Sequence, residues 1–281
     1  MRNYIKYRKK KFMRSLLKLT YKYFCKIYQV IITFLENIFF KRTKSNNLIK
    51  NGFFEYQSKT SVNNLILKRK SNRVNKYLSV RNINDKDLKN IISIVFNQKF
   101  RKFITYKTGF EYSIDFFIAY DREFINFKDR NVSTLDQWYS YKWHFDKPNS
   151  SNMLKIIIPL NIDDKEGPLE ILDSKESKKI NNLNLSDMKI LKNSIKFKSN
   201  KNTFYAFNPR LCIHKDGIPR KNKISTQVMF QLNPWSKWAV NHQIFNDNNS
   251  FNKALDLWTS EPKFTQLIYL HKKRIYSFNY K

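Results

Sequence analysis

The sequence predicts a mainly β fold: a double-stranded β-helix (jelly roll) with flanking helices and a basic helical N-terminal extension. Three observations predict it. Eight or so short apolar runs are separated by polar turns, helical periodicity is confined to a few windows, and the first 44 residues are basic and aromatic-rich with no Gly or Pro. Strands this short with few helices between them favour an antiparallel sandwich or barrel over alternating parallel units. A roll of this kind gathers strand ends around one mouth, where residues far apart in sequence converge.

Residues 1–44 carry 13 Lys or Arg and a single acid, Glu36, interleaved with rings and aliphatics such as Tyr4, Phe12, Leu16, Tyr23, Ile27 and Ile31. They read as a helix that either lies on an anionic membrane, with its lysines in the headgroups, or packs on the domain with its lysine stems covering apolar surface. The longest uncharged apolar stretch, residues 27–35, is far short of the roughly 20 residues that cross a bilayer. Residues 45–75 turn to Lys, Asn and Ser and read as a linker or poorly defined region ahead of a main domain at 76–240. Asn84 or Asp85 caps a helix running through Leu88, Ile91, Ile92, Ile94 and Val95 and ending near Gln98.

Strand-like runs follow at Phe103 to Tyr106, Tyr112 to Tyr120, Trp138 to Phe145, Leu154 to Leu160, Leu169 to Leu172, Phe204 to Phe207, Leu211 to His214 and Val228 to Leu232. Ser186 to Leu191 reads as a short Ser-capped helix inside a Lys- and Asn-rich insertion. Residues 241–281 form a C-terminal extension, polar to Asn252 and then helical or mixed around Trp258, Leu267 and Tyr269.

The 281 residues suffice for one substantial core, and the formal charge of +32 speaks to surface and partners rather than fold. Two causes compete for that charge. A polyanion or anionic membrane partner would use it, while a lysine excess accompanied by abundant Asn and Ile is also what an AT-rich genome imposes on a solvated surface. Nucleic acid is not the expected partner. Two cysteines, Cys25 and Cys212, cannot make a disulfide framework, so the expected setting is a reducing one, cytoplasmic and peripheral to a membrane at most.

Chemistry concentrates in two motifs, Trp143-His144-Phe145-Asp146 and Cys212-Ile213-His214, in a chain with only four histidines. In an extended segment His144 and Asp146 share a face, and a strand brought alongside would add His214. Two imidazoles and one carboxylate are the ligand set of a non-haem Fe(II) centre with open positions. A chance triplet and packed core histidines are the plainer alternative. By the same alternation Trp143 and Phe145 point away into the core. Gln137, Trp138 and Tyr141 precede the motif as candidates to line a pocket.

These residues, together with Leu154 to Leu160, the Gly167-Pro168-Leu169 turn and His214-Lys215-Asp216-Gly217-Ile218-Pro219 leading to Gln227 through Pro234, resemble the phytanoyl-CoA dioxygenase family over about residues 100–240. The resemblance implies a cupin-like jelly roll and Fe(II) held by His144, Asp146 and His214. It also implies 2-oxoglutarate as co-substrate, decarboxylated as a small-molecule or lipid-like substrate is hydroxylated. Asp146 suits hydroxylation, since related halogenases lack the carboxylate.

Family members place an arginine about ten residues after the distal histidine to hold the far carboxylate of 2-oxoglutarate, often with a serine two residues on. Here Lys223 stands in the arginine's place and Ser225 keeps the serine. Lysine lacks the bidentate fork of a guanidinium. Arg220 is an alternative anchor, as is Lys155, a lone charge in an apolar strand that faces either the pocket or solvent. Two rival readings remain: a catalytically degenerate roll that binds membranes or polyanions, and a cupin-type hydrolase or isomerase using another metal.

Overall fold

A computed structural model describes residues 20, 23–24, 26–43, 51–131, 141–146, 150–180, 193–200, 202–241 and 276–277. The expected Ser186 to Leu191 helix, Gln137, Trp138 and most of the C-terminal extension lie outside them. Helix α1 covers 26–39. The chain then runs β1 (Phe53–Gln57), α2 (Asn63–Leu67), β2 (Ser71–Asn75), β3 (Leu78–Arg81), α3 (Asp85–Val95), α4 (Gln98–Thr108), β4 (Glu111–Arg122), β5 (Leu154–Leu160), β6 (Leu169–Ile171), α5 (Ser174–Ile180), β7 (Ile195–Phe197), β8 (Thr203–Phe207), β9 (His214–Lys215), β10 (Ser225–Trp235), β11 (Ala239–Val240) and β12 (Tyr276–Ser277).

The larger sheet is ordered β1-β8-β5-β10-β4-β11-β12, with β3 on β4 and β2 on β3, and the smaller sheet is β7-β6-β9. From β4 onward the chain crosses repeatedly between the two sheets, and every pairing within β4, β5, β8 and β10 is antiparallel. That winding is the double-stranded β-helix. Residues directly opposite across a ladder share a face, so register sorts the large sheet into two surfaces. One carries Phe117, Phe230, Ile156, Ala206 and Phe204. Helices α3 and α4 cover it, with Phe96 edge-on to Phe230 at 5.1 Å and Phe100 edge-on to Phe204 at 5.6 Å. The other carries Tyr120, Arg122, Ser225, Gln227, Lys155, Tyr205 and Phe207 and faces the small sheet, where Phe197 stacks on Tyr205 at 4.3 Å. Polar residues are therefore enclosed between the sheets.

Several expectations are corrected. Phe103 to Tyr106 belongs to α4, which Asn97 caps through the Phe100 amide and Gly109 ends in the left-handed region. Its apolar run is too short for period alone to separate helix from strand. The expected linker at 45–75 contains β1, which pairs along its length with β8, and Val62 and Ile66 are core residues. Residues 209–211 form a turn followed by a bend at Cys212, leaving only His214 and Lys215 in a strand, and of the expected strand ending at Phe145 only a bridge at His144 lies in the described part. The α3 helix starts where Asn84 accepts from the Asp87 amide, and β5 spans Leu154–Leu160.

Gly167 and Gly217 bring two turns into backbone contact. A Cβ on Gly217 would lie 2.4 Å from the Pro168 carbonyl oxygen, and Gly167 has φ +66°. Gly217→Ala is expected to cost about 1–3 kcal/mol through forced backbone displacement. A thermal melt no lower than the parent's would refute the close approach.

Candidate metal centre

His144 and His214 exchange both main-chain hydrogen bonds, each 3.0 Å, in an isolated antiparallel bridge. This reciprocal pair sets the imidazoles side by side, their ring centroids 4.3 Å apart. Asp146 is anchored separately, its amide donating to the Pro209 carbonyl at 3.0 Å. The nitrogen and oxygen donors of the three side chains lie within 4.8 Å of one another.

Orientation at each ring follows from its other nitrogen. Nδ1 of His144 is 2.8 Å from the Lys142 carbonyl and Nδ1 of His214 is 3.1 Å from the Cys212 carbonyl. A carbonyl only accepts, so each Nδ1 carries the proton and each Nε2 turns a lone pair inward. Both Nε2 atoms sit 3.6 Å from Asp146 Oδ1. The second oxygen, Oδ2, is held 2.5 Å from Lys155 Nζ, whose side chain is buried. Lys155 thus faces the interior and leaves one carboxylate oxygen toward the imidazoles.

Burial works against the Asp146 anion, but Lys155 and the two imidazoles overcome it and hold the carboxyl well below its usual range. Burial, reinforced by neighbouring His144, pushes His214 down to about 4 and keeps it neutral. At His144 burial is outweighed by Asp146, which raises its pKa. Phe207 stands edge-on to His214 at 5.0 Å and closes that side of the site. Trp143 and Phe145 point away and pack against Leu172, Ile180 and Ile213. Cys212 is buried in the main core against Gly52. Two imidazoles and a carboxylate with fixed tautomers are a donor set suited to Fe(II) and similar divalent ions.

The expected anchor residues separate. Lys223 is half exposed and pairs with Glu166 at 3.2 Å, and Arg220 is exposed. Ser225 is fully buried, but the cation beside it is Arg122, its cross-strand neighbour in the β4–β10 ladder. Arg122 is itself fully buried. It donates to Ser225 Oγ at 2.7 Å, Gln227 Oε1 at 3.2 Å and the carbonyls of Gly167 and Gly217, and pairs with Asp216 at 2.7 Å. Asp216 lies two residues beyond His214, so the Arg122 cluster and the histidine–aspartate cluster occupy the same inter-sheet space. Arg122 is not among the expected anchors, Lys223, Arg220 and Lys155, because its place is set by pairing between β4 and β10 rather than by spacing from His214. The available signal was an arginine ending a long apolar strand.

No family model matches the chain, and no curated protein matches it. Solved structures that resemble it include the epimerase SnoN from nogalamycin biosynthesis, described as non-haem and α-ketoglutarate dependent, at TM-score 0.45 and 10% identity over 67% of this chain and 80% of that one. HygX from Streptomyces hygroscopicus, with nickel, 2-oxoglutarate and hygromycin B bound, aligns at TM-score 0.42 and 9% identity over 66% of this chain and 84% of that one. EctD from S. alaskensis, with bound Fe, aligns at TM-score 0.45 and 9% identity over 69% and 81%.

Proposed function

We propose that the protein is an Fe(II)- and 2-oxoglutarate-dependent oxygenase, similar to the phytanoyl-CoA dioxygenase family, that hydroxylates a small-molecule or lipid-like substrate. The observation that carries this reading is the paired orientation of the two imidazoles, each donating Nδ1–H to a carbonyl and presenting Nε2 to one oxygen of Asp146. His144, Asp146 and His214 would hold the ion. Bound there with 2-oxoglutarate, it supplies oxidative chemistry at a C–H bond.

The chain's own part is positioning and exclusion of water. Lys155 restrains Asp146 through its second oxygen. Phe207 and the helix-covered sheet keep the interior dry. Arg122, with Ser225 beside it, is the anchor for the far carboxylate of the co-substrate in place of Lys223, because its planar fork is buried in the same inter-sheet space. The anion would displace Asp216 from part of that fork.

Anaerobic titration with Fe(II) and 2-oxoglutarate tests the reading through the weak visible charge-transfer band of the ternary complex. The band is expected in the parent, absent in His144→Ala, weakened about 10–100-fold in 2-oxoglutarate affinity in Arg122→Lys, and unchanged in Lys223→Ala. Loss in Lys223→Ala with retention in Arg122→Lys would reverse the assignment. A second reading, a catalytically degenerate roll, is favoured by one observation: protein groups already engage both inner cations, Lys155 through Asp146 and Arg122 through Asp216. A folded parent with neither a band nor 2-oxoglutarate decarboxylation would select it.

A further inference from the structure

Helix α1 is amphipathic in the inverse sense. Gln29, Thr33 and Glu36 recur at helical spacing on its inner side, and all three are bound to the domain. Gln29 Nε2 donates to Ser151 Oγ at 2.8 Å and its Oε1 accepts from Arg210, Thr33 Oγ1 accepts from the Ser151 amide at 2.9 Å, and Glu36 accepts from Asn152 at 3.1 Å. The opposite side carries Ile27, Val30, Ile31, Phe34 and Ile38, a stripe more than half exposed along its length, with Val30 at 69% and Phe34 at 62%. A helix on a soluble domain ordinarily buries its apolar face and wets its polar one. Here the polar face is docked and the apolar face is turned out.

We infer that α1 is an interfacial helix that docks the protein on an anionic lipid surface. Charge complementarity selects that occupant. Residues 1–44 hold 13 Lys or Arg, nine of them ahead of position 23, against one acid, Glu36. Glu36 is 1% exposed and faces the domain, so it places no negative charge beside the apolar stripe. Lysine-rich sequence leading into an apolar helical face is the combination that inserts rings and aliphatics at the headgroup boundary while cations pair with lipid phosphates. No described helix is long and apolar enough to cross a membrane.

The docked face also contacts segments next to the candidate metal centre. Ser151 and Asn152 lie between Asp146 and β5, and Arg210 lies between β8 and His214, within the segment whose Pro209 carbonyl holds the Asp146 amide. The helix therefore rests on both loops that carry the ligands. The inference concerns the surface alone and holds whether or not the centre turns over.

Flotation of the full-length protein with phosphatidylcholine vesicles, and with mixed phosphatidylcholine and phosphatidylglycerol vesicles, tests it. The parent is expected to float with the mixed vesicles and not with pure phosphatidylcholine. Ile27→Glu/Phe34→Glu places two carboxylates on the outward stripe without touching the docked face, and is expected to weaken binding at least about ten-fold with an unchanged melt. Unchanged flotation of that variant would overturn the inference, because binding would then be by the basic tail alone. So would a parent dimer, by light scattering, that the double substitution dissociates, because the stripe would then be a self-interface. Ser93→Glu, on the exposed side of α3, controls for added charge and is expected to float like the parent.

Discussion

Truncating Arg122 to alanine is expected to cost about 3–5 kcal/mol of stability, because it strips the cation from a buried ion pair and from the acceptors grouped around it. The guanidinium is fully buried and binds Asp216, Ser225, Gln227 and two glycine carbonyls, tying β4 and β10 of the large sheet to the turns before β6 and after β9. Deletion leaves the Asp216 carboxylate, 12% exposed in the parent, facing the vacated volume without its cation. Denaturant unfolding should show a lower midpoint with an unchanged slope. Arg122→Lys should fall between parent and alanine, since it keeps the charge and loses the fork. A cost below about 1 kcal/mol for the alanine variant, the range of an exposed pair, would show that the cluster is solvated rather than structural.

The second large effect is at Asp146. Asp146→Ala is expected to weaken binding of Fe(II), or of Co(II) as a spectroscopic substitute, by more than about 100-fold, since on the proposed assignment it removes a ligand and not merely a supporting contact. Lys155→Met should weaken it less, about 10–100-fold, because the carboxylate remains but its second oxygen is no longer held. That order separates the two roles. If Lys155→Met matched Asp146→Ala, Lys155 would be setting the site itself and not its geometry; if Asp146→Ala bound metal like the parent, the three side chains would not be a metal centre. In the alanine variant Lys155 also loses the carboxylate that stabilises its buried ammonium, so a lower melt should accompany the lost affinity.

The helix face offers a different kind of lesson. Its basic and apolar composition was legible in the sequence, and both a membrane surface and a domain-packed helix were open. Periodicity places Gln29, Thr33 and Glu36 opposite Ile27, Val30 and Phe34, but it cannot say which side meets the domain. The usual rule would bury the apolar side, and the contacts of Ser151, Asn152 and Arg210 show the polar side docked instead.

By itself, the sequence determined some of the local elements and the metal-ligand candidates. Continuous apolar β5, the Asn84 cap of α3 and the alternation that turns His144 and Asp146 one way and Trp143 and Phe145 the other are properties of a few adjacent residues, set by backbone period and capping chemistry. The short run at Phe103 went astray for the same reason, since four residues cannot distinguish the two periods. Only the tertiary structure decided which cations line the interior. Lys223 sits where a linear reading expects the anchor, yet its loop turns it to Glu166 and solvent, while Arg122 reaches Ser225 from 103 residues away. Cross-strand register made that pairing. Register depends on how whole strands fit a shared core, so no window of neighbouring residues contains it.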